Sequence, residues 1–197
     1  MVSAIIGGDL APTPSNYELF KNGDLNSLIG SDLIKLLLNC DIRIFNLELP
    51  LTQSEKKILK AGPCLKIPHD VITGIIKLNP TLLTLANNHI MDYDVEGLKD
   101  TFSILNKYNI NYCGAGQNID EASKPFIIEI NSIRIGVYAC AEHEFSIATD
   151  NTYGANPFDP LESFDHIVEL KKKTNFIIVL YHGGKEHYRY PSPYLKK

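Results

Sequence analysis

Residues 82–98 read "LLTLANNHIMDYDVEGL". The stretch opens as an apolar strand. It then breaks into Asn87, Asn88 and His89, reaches Asp92 three residues on, and resumes with helical spacing. A strand followed by a polar loop and a helix is the repeating step of an α/β sheet, and such sheets present ligand-binding groups at the carboxyl ends of their strands. The stretch therefore decides the fold class and shows where to look for function.

The same alternation runs outward in both directions. Residues 2–8, 42–47, 81–86, 110–114, 126–131, 133–140 and 176–182 read as strands, and residues 25–39, 71–78, 95–108 and 160–173 as helices. Pro68 stands near the start of the second helix, Asp94 is the expected N-cap of the third, and Lys171-Lys172-Lys173 reads as the end of the last. Asn131-Ser132 predicts a tight hairpin, and residues 52–66 and 141–157 read as polar loops. Strands alternating with helices predict a largely parallel sheet with helices on its faces, and Val- and Ile-rich runs fit strands buried on both sides. With no repeat, low-complexity segment or linker, residues 1–197 read as one domain.

Composition narrows the partners. A chain of 197 residues with 44% hydrophobic and 21% charged residues can bury one good-sized core and reads as globular. Its net charge of −4, with Lys and Arg scattered, speaks against a nucleic-acid or anionic membrane partner. The N-terminal "MVSAIIGGDL" lacks a basic region and reaches Asp9 early, unlike a secretory signal, and no apolar run approaches the roughly 18 residues of a membrane span. Cys40, Cys64, Cys113 and Cys140 form no C-x-x-C pair, so reduced, packed thiols and a cytoplasmic location are expected. Residues 190–197, "YPSPYLKK", place Ser192 as an N-cap and Pro193 at a first helical position with only about one turn after them. This reads as the start of a further element, so a C-terminal truncation with an exposed edge or apolar face is expected.

Four strand ends carry chemistry: Gly7-Gly8-Asp9, Asn46-Leu47-Glu48, Asn87-Asn88-His89, and His182-Gly183-Gly184 with Glu186 and His187 beyond. Each alone has a bland reading. Gly-Asp makes turns, Asn-Asn caps helices, and a lone histidine is more often structural. Together, at one topological position, they predict a polar site. Carboxylates, an amide oxygen and imidazole suit Mn²⁺, Fe²⁺ or Zn²⁺. Two such ions about 3.5–4 Å apart, bridged by a carboxylate, activate water and clamp an in-line displacement at phosphorus. His89, with an ordinary pKa near 6.5, is placed to protonate a leaving oxygen while its neighbour Asn88 ligates. Asp92 either orients that imidazole or simply begins the next helix.

The segments "GGDL" (7–10), "FNLELPLT" (45–52), "LANNHIMDYDVEGLKDT" (85–101), "GAGQNIDEASKP" (114–125) and "YHGGKEHYRYPSP" (181–193) span nearly the whole chain. In this order they resemble the CapA family of poly-γ-glutamate capsule biosynthesis proteins, itself related to the calcineurin-like metallophosphoesterases. The resemblance implies a four-layered α/β sandwich with a dinuclear metal site at the strand ends. Asp9 would hold the first metal, Glu48 would bridge, Asn88 and His182 would hold the second, and His89 would lie beside the phosphate or its equivalent. Asn46, Asn87, Asp92 and Glu186 would support, Asp92 through His89. His187 stands where the family pattern has an aromatic residue and is not taken as a ligand.

Two departures matter. Leu10-Ala11 replace the Asp-x-His of the related phosphoesterases, and the family's later His-x-His loop lies beyond Lys197. The function implied is a metal-dependent hydrolase acting on a small phosphoester or an anionic polymer. The alternatives are a non-catalytic capsule-assembly or polymer-binding protein, and an inactive truncated piece.

Overall fold

Two β-sheets lie face to face in a computed structural model that describes residues 1–185 and 187–193. The first holds β1 (Ala4–Leu10), β2 (Ile42–Leu47), β3 (Leu82–Thr84) and β4 (Tyr112–Cys113), all parallel and in that order. A small pair, β5 (Ala115–Gly116) and β8 (Gly154–Ala155), sits apart. The second large sheet is β6 (Phe126–Ile130), β7 (Ile133–Ala141) and β9 (Phe176–His182), with β7 between the other two. β6 and β7 form the expected hairpin. Asn131 and Ser132 have φ of 52° and 64°, the left-handed pair that a two-residue turn needs to match strand twist.

The alternation of side chains explains the layers. Ile42 and Ile44 of β2 and Leu82 of β3 point at Ile135, Val137, Ala139 and Ala141 of β7, forming the core between the sheets. The other face of the first sheet meets α1 (Tyr17–Asn22), α3 (Ile72–Lys77) and α4 (Asp94–Lys107) through Phe20, Ile72, Ile75, Leu98 and Leu105. On the second sheet, Tyr138 and Cys140 turn outward to Leu170 of α6 (Glu162–Lys171). The order is helices, sheet, sheet, helix. This is the α/β sandwich with mostly parallel strands and flanking helices that the family resemblance implies, and the largely parallel sheet read from the alternation is divided between its two sheets. Apolar runs show that strands are buried on both sides, but not that β9 pairs with β7 rather than with β1.

Other differences have local causes. α1 and α5 (Ile119–Ala122) are too short for a hydrophobic period to show. α2 (Leu25–Leu38) is kinked at Gly30, whose φ is 78°. Tyr93, not Asp94, is the N-cap of α4. Asp94 has a φ of 58° and uses its carboxylate for the Val95 N–H and the Lys56 ammonium. Residues 141–157 are not simply a polar loop, because Ala148, Ala155 and Asn156 are buried there and Asn156 Nδ2 donates to the Ala139 carbonyl at 2.8 Å. The four cysteines are unpaired, and burial pushes the Cys113 and Cys140 thiols up to about 12 and about 11, which suits inert packing groups. Among the described residues β9 pairs with β7 alone and exposes Phe176 and Val179. Glu186 and most of the C-terminal element read at 191–197 lie outside the described residues. Among the described residues no helix is long and apolar enough to cross a membrane.

Ile44 sits at the centre of the inter-sheet core. Ile44→Ala should lower unfolding stability by about 3 kcal/mol in urea titration, with a similar m-value.

Candidate metal centre

The carboxyl ends of β1, β2 and β9 meet at one edge of the sandwich. β1 reaches it through Gly7-Gly8, where its pairing with β2 shifts register between Ile6 and Asp9. Glycine is needed at position 7, since a Cβ there would lie 2.6 Å from the Phe45 ring. The shift sets Asp9 opposite Asn46. β9 ends at His182, and the chain leaves through Gly183, whose φ is 154° and whose added Cβ would meet the Glu142 carboxyl at 2.8 Å. Glu142 ties down this exit by accepting the Gly184 N–H at 3.0 Å and donating its own N–H to the His182 carbonyl.

Asp9, Glu48 and His182 each bring a ligand atom within 4.8 Å of the others. His182 Nδ1 lies 3.4 Å from Asp9 Oδ1 and 3.7 Å from Glu48 Oε2, while its Nε2 lies 3.2 Å from Asn88 Oδ1. The imidazole therefore stands between the two carboxylates on one side and Asn88 on the other. Asn46 Nδ2 donates to Asp9 Oδ1 at 2.7 Å and to Glu48 Oε2 at 2.9 Å. Its amide oxygen accepts from Asn87 Nδ2 and Thr84 Oγ1, which fixes which way the amide faces.

The electrostatics follow from crowding. The hydrogen bond from His182, helped by Asn46 and opposed by burial, brings Asp9 down to about 2. Burial, aided by the Asp9 charge and opposed by His182, pushes Glu48 up to about 7. Burial opposes charge on His182, but its bond to Asp9 and the charges of Glu48 and Asp9 outweigh that and raise it. Two carboxylates with one imidazole and one amide between them are short of positive charge. Hard oxygen donors and an imidazole around one point fit a divalent cation of the Mn, Fe or Zn type.

The strand end at 87–92 divides its labour. Asn87 is wholly buried and acts as a brace. Its Oδ1 accepts the His89 and Ile90 N–H groups at 3.0 and 2.8 Å, its Nδ2 donates to the Leu47 carbonyl, and its own carbonyl accepts from Ser146 Oγ. The turn so made points Asn88 at His182. His89 Nδ1 lies 2.7 Å from Asp92 Oδ2. Of the two roles expected for Asp92, orienting the imidazole is the one present, and the helix begins only at Asp94. Asp9, Glu48, Asn88, His89 and His182 line one groove of about 570 Å³.

Two participants escaped the sequence reading. Glu142 follows the strand read at 133–140 and lies in the span taken for a loop. Lys60 stands in the stretch 52–66 read as a polar loop, yet its side chain is only 2% exposed and its ammonium is paired with Asp92. No spacing connects position 60 with position 92. The expected role of Glu186 falls outside the described residues.

A family model described as "Bacterial capsule synthesis protein PGA_cap" matches residues 3–197. The PGA biosynthesis protein CapA of Bacillus subtilis (strain 168) is 34% identical over 113 residues, which cover 56% of this chain and 30% of that protein. The capsule biosynthesis protein CapA of Bacillus anthracis is 28% identical over 166 residues, covering 80% of this chain and 40% of that protein. The chain thus spans less than half the length of these curated relatives. Among solved structures, a phosphatase from Mycoplasma pneumoniae superposes with a TM-score of 0.52 at 17% identity, over 93% of this chain and 56% of its own. That likeness concerns the fold alone.

Asn87 holds two backbone donors, one carbonyl and the Asn46 amide at once. Asn87→Ala should cost about 3 kcal/mol of stability, measured by urea denaturation, because these buried groups lose their partner.

Proposed function

The chain belongs to the bacterial capsule synthesis protein PGA_cap family, and on that premise we propose that its strand-end groove is the centre of a metal-dependent hydrolase of the phosphoesterase type. The observation that carries this reading is the convergence of Asp9, Glu48 and His182 within 4.8 Å, on the same groove as Asn88 and a carboxylate-held His89. Asp9, Glu48 and His182 would hold the first ion. With a second ion, Glu48 would bridge and Asn88 would complete the set beside the imidazole. A bound divalent ion supplies Lewis-acid polarisation of a phosphoryl oxygen and lowers the pKa of water.

The chain's own residues do the rest. Asn46 keeps the two carboxylates aligned by donating to both. Asn87 sets the turn that places Asn88 and His89 side by side. Asp92 occupies His89 Nδ1, which leaves Nε2 as the nitrogen that gives a proton to a leaving oxygen. Lys185 and Arg189 line the same groove, which favours an anionic substrate, either a small phosphoester or a polymer such as polyglutamate. Residues 1–197 work as one domain in this reading.

Mn²⁺ should raise the melting temperature of the protein. A concentration about 100-fold above Kd corresponds to roughly 2.7 kcal/mol, and Asp9→Asn or Glu48→Gln should remove most of the shift. The loaded protein should hydrolyse p-nitrophenyl phosphate, and His89→Gln should lower kcat by about 10²–10⁴ with KM little changed. Absence of any metal-dependent shift sinks the metal centre. A shift with no turnover but with retention on polyglutamate replaces the hydrolase with a polymer-binding protein.

A further inference from the structure

Lys60 is a buried ammonium in a place that packing alone would give to an apolar side chain. It is paired with Asp92 Oδ1, an oxygen that makes no other bond. The other oxygen, Oδ2, accepts the Leu65 N–H at 2.6 Å and lies 2.7 Å from His89 Nδ1. Lys60 Nζ is 3.1 Å from that same ring nitrogen, and the Phe145 ring lies 5.6 Å from the ammonium. The backbone agrees, since Ile58 N–H, two residues before Lys60, donates to the Asp92 carbonyl at 3.2 Å. A lysine is buried this fully only when its charge is matched, and Asp92 is the match.

We propose that Lys60 is a positioning residue that acts through Asp92 to hold His89 in one ring orientation, with Nδ1 protonated toward Asp92 and Nε2 presented to the groove. The inference rests on the reading of His89 as proton donor. The shorter of the two contacts at His89 Nδ1 is to a carboxylate, which only accepts. The ring nitrogen therefore carries the proton, and the ammonium faces Asp92 Oδ1 as an ion pair. With Lys60 on one oxygen and Leu65 and His89 on the other, Asp92 has no freedom to turn. Without Lys60, Asp92 Oδ1 is a buried oxygen with no partner. The carboxylate is then free to turn toward another donor, and His89 loses its hold.

The test uses the whole chain with Mn²⁺ and p-nitrophenyl phosphate, together with ¹⁵N spectra of the histidine ring nitrogens. In the wild type, His89 should show a ring with a proton on Nδ1. Lys60→Gln, folded by its amide spectrum, should lose that single pattern and lower kcat by about 10–100-fold, with KM within about twofold. Lys60→Arg should recover most of both, because it restores a cation beside Asp92. A wild-type ring with no proton on Nδ1 overturns the proposal, as does a folded Lys60→Gln that keeps both the ring pattern and kcat. If Lys60→Gln does not fold, the wild-type spectrum and Lys60→Arg decide. If the wild type turns over nothing, the hydrolase reading falls, while the ring spectra still decide what Lys60 does to His89.

Discussion

Two carboxylates, Asp9 and Glu48, are held against one imidazole, and this crowding of charge is what the rest of the molecule has to maintain. Like charges at such range repel, and burial makes ionisation harder, as the upward displacement of Glu48 shows. The arrangement persists because it is divided among elements that cannot move apart cheaply. Asp9 and Glu48 come from β1 and β2 of the first sheet, whereas His182 ends β9 of the second. The donor set straddles the two layers, so the core between the sheets also fixes the distance between imidazole and carboxylates. Neither sheet alone could build it.

Amide groups connect that core to the charges. Asn87 draws on the Leu47 carbonyl and hands its other amide proton to Asn46. Asn46 then spends both protons of its own amide on the carboxylates and turns its oxygen back to Asn87 and Thr84. Amides suit this task because they donate strongly without adding a charge that would compete with a bound cation. Asn87, which is buried, and Asn46, which is partly so, are thus part of the site without being ligands. This is a physical reason for an asparagine at position 87 that is more specific than loop propensity.

Much of this was legible in the sequence and some was not, for different reasons. The strand ends could be found because apolar runs stop abruptly at Asp9, Glu48, Asn88 and His182, and position along a strand is a local property. The pairing of β9 with β7 was not legible, because a strand buried on both faces reads the same in either sheet. The short helices and the pair β5 and β8 lack the length for a period. Lys60 was hidden by type. A lysine in a polar stretch reads as solvated, and only the fold shows that the loop folds down over Asp92. Asp92 itself was half legible. Its spacing from His89 allowed two roles, and in the fold its carboxylate meets the imidazole while α4 starts only at Asp94.

The stretch 87–92 finally shows how neighbouring residues come to have separable tasks. Asn88 and His89 are adjacent in sequence but braced from opposite directions. Asn88 is placed by a turn tied through Asn87 to β2, and its oxygen faces His182. His89 is placed by Asp92, which is anchored through Lys60, Leu65 and Ile58 to the loop after β2. The side of the groove that carries Asn88 therefore depends on the sheet, and the side that carries His89 on a loop that packs against the site. Loops tolerate change more readily than sheets do. It follows that this fold can alter the setting of His89, through the loop that carries Lys60, without disturbing Asp9, Glu48 and His182 at the strand ends.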